Sequence, residues 1–221
     1  MRTGRLRILL ADATIVVVDK PSGLLSVPSD GTRGQTCLQE IRREHPAARA
    51  VHRLDRDTSG VLLFALSEPA RLDLERQFRE RTVKKVYLAL VRGRPGRKSG
   101  IIDKPIVDLG KTAAVRRDGE QALTQYKVIE TVGPASLVRV EPKTGRYNQI
   151  RLHFAAIGHP LIGERKYARG RDSVIRASRV ALHAQSLAFT HPATQARIEV
   201  SAPLPDSWRV LMERLRGLRG I

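Results

Sequence analysis

The stretch VHRLDRDTSGVLLFALSEPARLDLERQF, Val51–Phe78, puts three kinds of sequence in immediate succession. His52, Arg53, Asp55, Arg56 and Asp57 crowd together, Ser59 and Gly60 follow, and an apolar run from Val61 to Leu66 leads into Ser67. The apolar run is short, follows a glycine and gives way at once to a helix signal, so it reads as a buried strand. Ser67 is a good N-cap, Pro69 suits a first turn, and Leu74 and Phe78 recur at helical spacing, which predicts a helix ending near Arg81. The charged cluster therefore stands at the mouth of a buried segment. Charges there are costly unless they pair with one another or are held for chemistry. The cluster is either a structural ion-pair knot or an active site.

Upstream, RILLADATIVVVDKPSG (Arg7–Gly23) gives two β-rich runs broken at Ala11–Thr14 and stopped by Pro21, and QTCLQEIRREH carries Leu38 and Ile41 at helical spacing. Downstream, VKKVYLALVRG reads as a strand, and QALTQYKVIET and SLVRVEP as two more joined by a turn at Gly133 and Pro134. In GRYNQIRLHFAAIGHP a one-sided stripe of Ile150, Phe154 and Ile157 predicts a helix that Gly158 and Pro160 close, with Arg151 beside the stripe. VALHAQSLAFTHPATQARIEVSAP looks like a hairpin, and Asp206 is placed to cap a last helix carrying Trp208, Leu211, Met212 and Leu215. Strands outnumber helices without βαβ alternation. The expected fold is α+β with a largely antiparallel sheet, and the sequence marks no clear domain boundary.

The chain has 221 residues, 41% of them hydrophobic, enough for a sizeable core. Its 40 Lys and Arg against 22 Asp and Glu leave a net charge of +18, which attracts polyanions and puts RNA or DNA first among partners. Cys37 is the only cysteine, so an internal disulfide and a Cys-based zinc site are both excluded. The histidines show no close metal spacing, and no metal is expected. Without a run long enough to cross a membrane or a signal peptide, the expected location is the cytoplasm. Leu54 interrupts the kinase-like His-Arg-Asp triplet, and Ser59 lacks the GxSxG setting of a hydrolase nucleophile.

Four ordered segments resemble the RluA-type pseudouridine synthases. They are ILLADATIVVVDKPSGLLSVPS (Ile8–Ser29), with the family's KPxGLxxxP turn at Lys20–Pro28; HRLDRDTSGVLLFA (His52–Ala65); KKVYLALVRG (Lys84–Gly93); and KTGRYNQIRLHFAAIGHPLIGERKYA (Lys143–Ala168). The resemblance implies one α+β catalytic domain over residues 1–221, built on a mixed, largely antiparallel sheet with flanking helices and an RNA-binding cleft, without the separate N-terminal RNA-binding module that many relatives carry. It implies isomerisation of uridine to pseudouridine in structured RNA, ribosomal RNA or a transfer RNA stem-loop, by a monomer. Since the reaction involves no net oxidation and donates no group, no cofactor is expected.

Carried over residue by residue, Asp55 falls on the catalytic aspartate, Tyr87 on the tyrosine that packs against the target base, and Arg151 on the basic residue that pairs with the aspartate. His52, Arg53, Arg56, Thr58, Arg146, Asn148 and Gln149 are the expected substrate contacts. Asp57 is expected to fix the loop or to pair with Arg53 or Arg56. Two positions depart from the family pattern: Asn148 stands where His is usual, and Glu164 replaces an Asp. RGRPGRK (Arg92–Lys98) and the cluster holding Arg169, Arg171 and Arg176 are either an RNA grip or solvated loops. The alternative function is a non-catalytic RNA-binding or ribosome-assembly protein with the same fold, against which the intact Asp55, Tyr87 and Arg151 argue.

Overall fold

A computed structural model describes residues 6–28, 34–110, 112–168, 175 and 177–218. In chain order the elements begin with β1 (Arg7–Ala11), β2 (Ile15–Lys20), α1 (Cys37–Ile41), β3 (Arg49–Ala50), β4 (Ser59–Ala65) and α2 (Glu68–Arg79). There follow β5 (Lys84–Arg92), β6 (Ser99–Asp103), β7 (Ile106–Asp108), β8 (Ala113–Val115), β9 (Leu123–Val132) and β10 (Ala135–Pro142). The chain ends with α3 (Gln149–Ala156), β11 (Leu182–Thr190), β12 (Arg197–Ser201) and α4 (Asp206–Gly217). The fold is α+β, and its strands pair predominantly antiparallel. Two compact units share it: Met1–Lys85 with Ala184–Pro203, and Val86–His183 with Leu204–Ile221.

In the first unit the strand order is β1-β2-β4-β11, with β12 on β11 and the short β3 on β4. Every residue of β4 is buried, which explains an apolar run without alternation: both faces are covered. On one face Val61 and Leu63 join Ile15 and Val17 of β2, Ala70 and Leu74 of α2, and Leu187 and Phe189 of β11. Each such aliphatic or aromatic side chain contributes about 1.5–3 kcal/mol by leaving water. Ser67 caps α2 as the sequence predicts, accepting from the Ala70 N–H. Gly60 has φ 114, and a Cβ there would lie 2.1 Å from the Ala184 carbonyl oxygen. Only glycine lets β11 approach so closely where the charged loop turns into β4.

In the second unit the order is β5-β10-β9-β6, and β7 and β8 form a separate hairpin. One face of β5 and β10 carries Ala89, Val91, Val138 and Val140, which pack against Ile150 and Phe154 of α3. The other carries Leu90 and Leu137, which meet Trp208, Met212 and Leu215 of α4. Asp206 does not cap α4: Pro205 holds the N-cap position in extended backbone, and Asp206 is an acid in the first turn. There it still favours the positive end of the helix dipole. The pieces β6, β7 and β8 have no counterpart in the sequence reading.

Candidate active site

The Asp55 loop is tied down through its backbone. Lys20 ends β2 with its side chain completely buried, and its ammonium donates to the carbonyls of Pro21 (3.0 Å), Leu24 (2.6 Å) and Arg56 (3.0 Å). Ser26, also buried, accepts from the Leu54 N–H at 2.9 Å and donates back to the Leu54 carbonyl at 2.8 Å. Ser22 donates to the Asp57 carbonyl at 2.7 Å, and the Gly23 N–H to the Arg56 carbonyl at 2.8 Å. Across the turn itself, the Thr58 N–H donates to the Asp55 carbonyl at 3.1 Å. The Lys20–Ser26 turn thus grips residues 54, 56 and 57 and presents the half-buried Asp55 side chain between them.

The charged cluster is not a knot of mutual ion pairs. Among the described residues Arg53 is exposed and makes neither a hydrogen bond nor an ion pair, Arg56 reaches the Gly23 carbonyl through Nε at 3.0 Å, and the Asp57 carboxylate pairs with neither arginine. Asp57 joins the loop through its carbonyl instead. Of the expected substrate contacts here, Arg53 and Arg56 lie at the surface and Thr58 is buried. His52 is turned inward: its Nε2 accepts from the Leu63 N–H at 3.0 Å and its ring stacks on Phe78 at 4.8 Å. Burial, with the nearby Lys85 charge adding to it, pushes the His52 pKa down to about 3, so the ring is neutral and serves the fold of the loop.

In the second unit Tyr87 lies half-buried on β5, opposite Val140, on the face that carries α3. Asn148 opens α3 in the left-handed region, φ 53, which asparagine tolerates better than most residues. Its side chain makes no cap bond and turns instead to two neighbours. Nδ2 donates to the Tyr167 hydroxyl at 2.7 Å, and Oδ1 accepts from Arg151 Nη1 at 3.3 Å. Arg151 also forks onto Glu164, Nε to Oε2 at 2.6 Å and Nη2 to Oε1 at 2.9 Å, with its guanidinium 5.3 Å from the Tyr167 ring centroid. Burial alone would raise the Glu164 pKa. The Arg151 guanidinium and the N–H groups of Lys166 and Tyr167 outweigh that and hold it below the ordinary carboxylate value.

Gln149, one of the expected substrate contacts, is buried. Its amide donates to the Leu123 carbonyl and the Thr124 hydroxyl, both at 2.9 Å, and accepts from the Thr144 hydroxyl at 2.7 Å and the Arg146 N–H at 3.0 Å. With both donors and its oxygen occupied, it ties the start of α3 to the beginning of β9. Arg146 is half-buried and paired with Glu120 at 2.6 Å. Lys20, Ser22 and Ser26, which hold the Asp55 loop, and Glu164 and Tyr167, which hold Arg151, were not singled out as functional by the sequence. Of the basic patches, Arg94, Arg97 and Lys98 are exposed, and Arg169, Arg171 and Arg176 lie outside the described residues. Among the described residues no cluster of His, Cys, Asp and Glu is arranged to hold a metal ion, and no helix is long and apolar enough to cross a membrane.

Comparison with known proteins agrees with this architecture. The family model for RNA pseudouridylate synthase matches residues 14–156. Ribosomal large subunit pseudouridine synthase D of Nitrosomonas europaea is 39% identical over 228 residues, covering 96% of this chain and 66% of that protein. Dual-specificity RNA pseudouridine synthase RluA of Escherichia coli is 41% identical over 202 residues, covering 89% of this chain and 92% of that one. The chain therefore spans slightly less than two thirds of the first relative and nearly all of the second. The solved structure of human RNA pseudouridylate synthase domain containing 1 superposes with a TM-score of 0.78 at 29% identity, covering 100% of both chains. Sequence and fold together make this chain a member of the RNA pseudouridylate synthase family.

Proposed function

We propose that this chain converts uridine to pseudouridine in structured RNA with Asp55 as the nucleophile. The observation that carries the reading is the loop geometry. A carboxylate is presented from a turn whose neighbouring backbone is fixed at residues 54, 56 and 57 by Ser26, Lys20 and Ser22, so it meets a reacting centre without first being ordered. In the reaction the C1′–N1 glycosidic bond breaks and a C1′–C5 bond forms. C5 loses its hydrogen as a proton, and N1 gains one. The sum is an isomerisation, and it calls for no redox cofactor or donated group. A carboxylate serves by forming and then releasing a covalent adduct, which divides one high barrier into lower ones.

In this reading the target nucleotide leaves its stack and its base lies against Tyr87. Arg151 supports the reacting carboxylate through charge-assisted N–H bonds. The exposed Arg53 and Arg56 take phosphates, and the chain's excess of positive charge supplies the rest of the affinity. The RNA is a structured one in the cytoplasm: ribosomal RNA in the first place, as the name of the synthase D relative suggests, and transfer RNA in the second. The enzyme acts as a monomer with a single catalytic domain.

The test is conversion of RNA by purified Asp55→Asn beside Asp57→Asn. Asp55→Asn keeps the shape of the side chain and removes the nucleophile, so single-turnover conversion should fall at least about 1,000-fold while RNA binding stays within about twofold. Asp57→Asn should convert at a rate near wild type. Conversion by Asp55→Asn at the wild-type rate removes Asp55 from the chemistry. RNA binding by a wild-type protein that converts none of the RNA offered favours the binding-protein reading.

A further inference from the structure

Glu164 has no exposed side-chain surface, and its two oxygens serve one arginine and two backbone groups. Besides the fork to Arg151, Oε1 accepts from the N–H of Lys166 at 2.8 Å and of Tyr167 at 3.2 Å. A tight turn brings it there. The Glu164 N–H donates to the Leu161 carbonyl at 3.0 Å, and Gly163 takes φ 81, where a Cβ would lie 2.0 Å from the Arg179 carbonyl oxygen. The Ile162 N–H anchors the same turn to the Leu90 carbonyl of β5 at 2.8 Å, on the strand that carries Tyr87. Burying an ion pair is weak evidence for stabilisation, because desolvation offsets the attraction. What the arrangement does supply is geometry.

A guanidinium holds five N–H groups in one plane. Glu164 takes the Nε–Nη2 edge, Asn148 takes an N–H of Nη1, and the Tyr167 ring lies against the group. Edge, end and face are all set by these three residues. Glu164 also balances the arginine's charge, so what Arg151 offers a reacting group is directed hydrogen bonds more than bulk attraction.

We infer that Glu164 is a positioning residue for the reaction: it locks the Arg151 guanidinium in the orientation in which it serves the reacting carboxylate. The inference rests on the reading above in which Arg151 serves Asp55. Glu164 itself touches no reacting atom.

The experiment is a double-mutant cycle on the full chain. The probe is total RNA labelled with tritium at C5 of uridine, from cells lacking this protein, and the readout is tritium release in a single turnover. Glu164→Gln should slow release about 100-fold, the scale of an ångström-level misplacement, while the RNA-binding midpoint stays within about twofold. Glu164→Asp keeps a carboxylate on a shorter stem and should recover about tenfold of that loss, leaving release about tenfold below wild type. Arg151→Lys cannot reproduce the fork, and adding Glu164→Gln to it should slow release by no more than about threefold further, because Glu164 acts only through the guanidinium. Losses that multiply in the double variant, or Glu164→Gln at the wild-type rate, overturn the inference. If Glu164→Gln does not fold by circular dichroism, the cycle is run with Glu164→Asp, and a rate unchanged from wild type then overturns it. Asp55→Asn is measured alongside. Its full activity sinks the Asp55 reading, whereas an inactive Asp55→Asn beside a fully active Glu164→Gln sinks only the role given to Glu164.

Discussion

The loop around Asp55 and the first turn of α3 hold their functional groups by opposite means. In the loop nearly every tie runs to the main chain: Lys20, Ser22 and Ser26 all address carbonyls or an N–H of residues 54, 56 and 57. At α3 the ties run from side chain to side chain, through Glu164, Asn148 and Tyr167 to one guanidinium. Main-chain ties fix where a residue sits. Side-chain ties fix the functional group itself and use up part of its bonding capacity. The first arrangement suits a nucleophile that must form and break a bond, and the second suits a group that must stay still while another reacts.

The contrast is broken most severely at Lys20. Lys20→Met keeps most of the volume but leaves three carbonyls facing a thioether, so the fold should lose about 3–5 kcal/mol, with Tm lower by about 10 °C. Urea unfolding measures it. Conversion of RNA should fall as well, since the Arg56 end of the loop is released. A loss below about 1 kcal/mol would mean that water or neighbouring groups replace the ammonium and that the loop does not hang on this residue.

Ser26→Ala gives the next largest effect. It strands a buried N–H and a buried carbonyl of Leu54, at a cost of about 2–4 kcal/mol. Ser26→Cys returns a weaker donor and acceptor to the same place and should recover part of the stability. If backbone ties are what align Asp55, Ser26→Ala should also slow turnover more than it weakens RNA binding, although Ser26 is itself buried away from solvent. Equal stability of wild type and Ser26→Ala would leave the Ser26 bonds as a consequence of the loop's shape and not a cause.

Elements whose signals are local were legible in the sequence. Gly60 followed by an apolar run and Ser67 marks β4 and α2, because turn, burial and cap act over a few residues. Strands β6 to β8 were missed for a physical reason: Pro105 interrupts the run, and Ile101 is exposed at 67% while Ile102 is buried, so apolar character does not track burial there. Asp206 was misplaced by one position because proline can stand at an N-cap in its ordinary extended conformation. At the site, charge signs could not distinguish a knot from an open cluster, since pairing depends on side-chain direction. Gln149, expected as a substrate contact, is buried and brackets the α3 turn through its amide, a placement that depends on β9 coming alongside. Asn148 and Glu164 were noticed as departures from the family pattern. That both touch Arg151 emerges only when the Gly163 turn folds back, and no local pattern encodes that return.

The smallest expected effect separates the two regions by pH. The His52 pKa is held at about 3 by burial and Lys85, against about 6.5 in an unfolded chain, so the unfolded state binds the proton more readily. The stability this contributes is complete above pH 6.5 and is lost as pH falls from there towards 3, by at most about 2 kcal/mol between pH 7 and pH 5. His153 in the second unit, its pKa lowered chiefly by burial, acts in the same sense and adds to that slope. Glu164 is a depressed carboxylate, so its contribution is complete above about pH 4.3 and disappears only as pH falls through its folded value. Urea unfolding from pH 7 to pH 3 should therefore show a decline in two stages, the second steeper because below about pH 4.3 Glu164 adds to the histidines. His52→Gln keeps an acceptor for the Leu63 N–H without a titrating ring, and should lessen the slope of both stages. Glu164→Gln should lessen only the lower one. If His52→Gln ran parallel to wild type between pH 6.5 and 4.5, the inward ring at the Asp55 loop would not be the titrating group, and His153 would carry the upper stage alone.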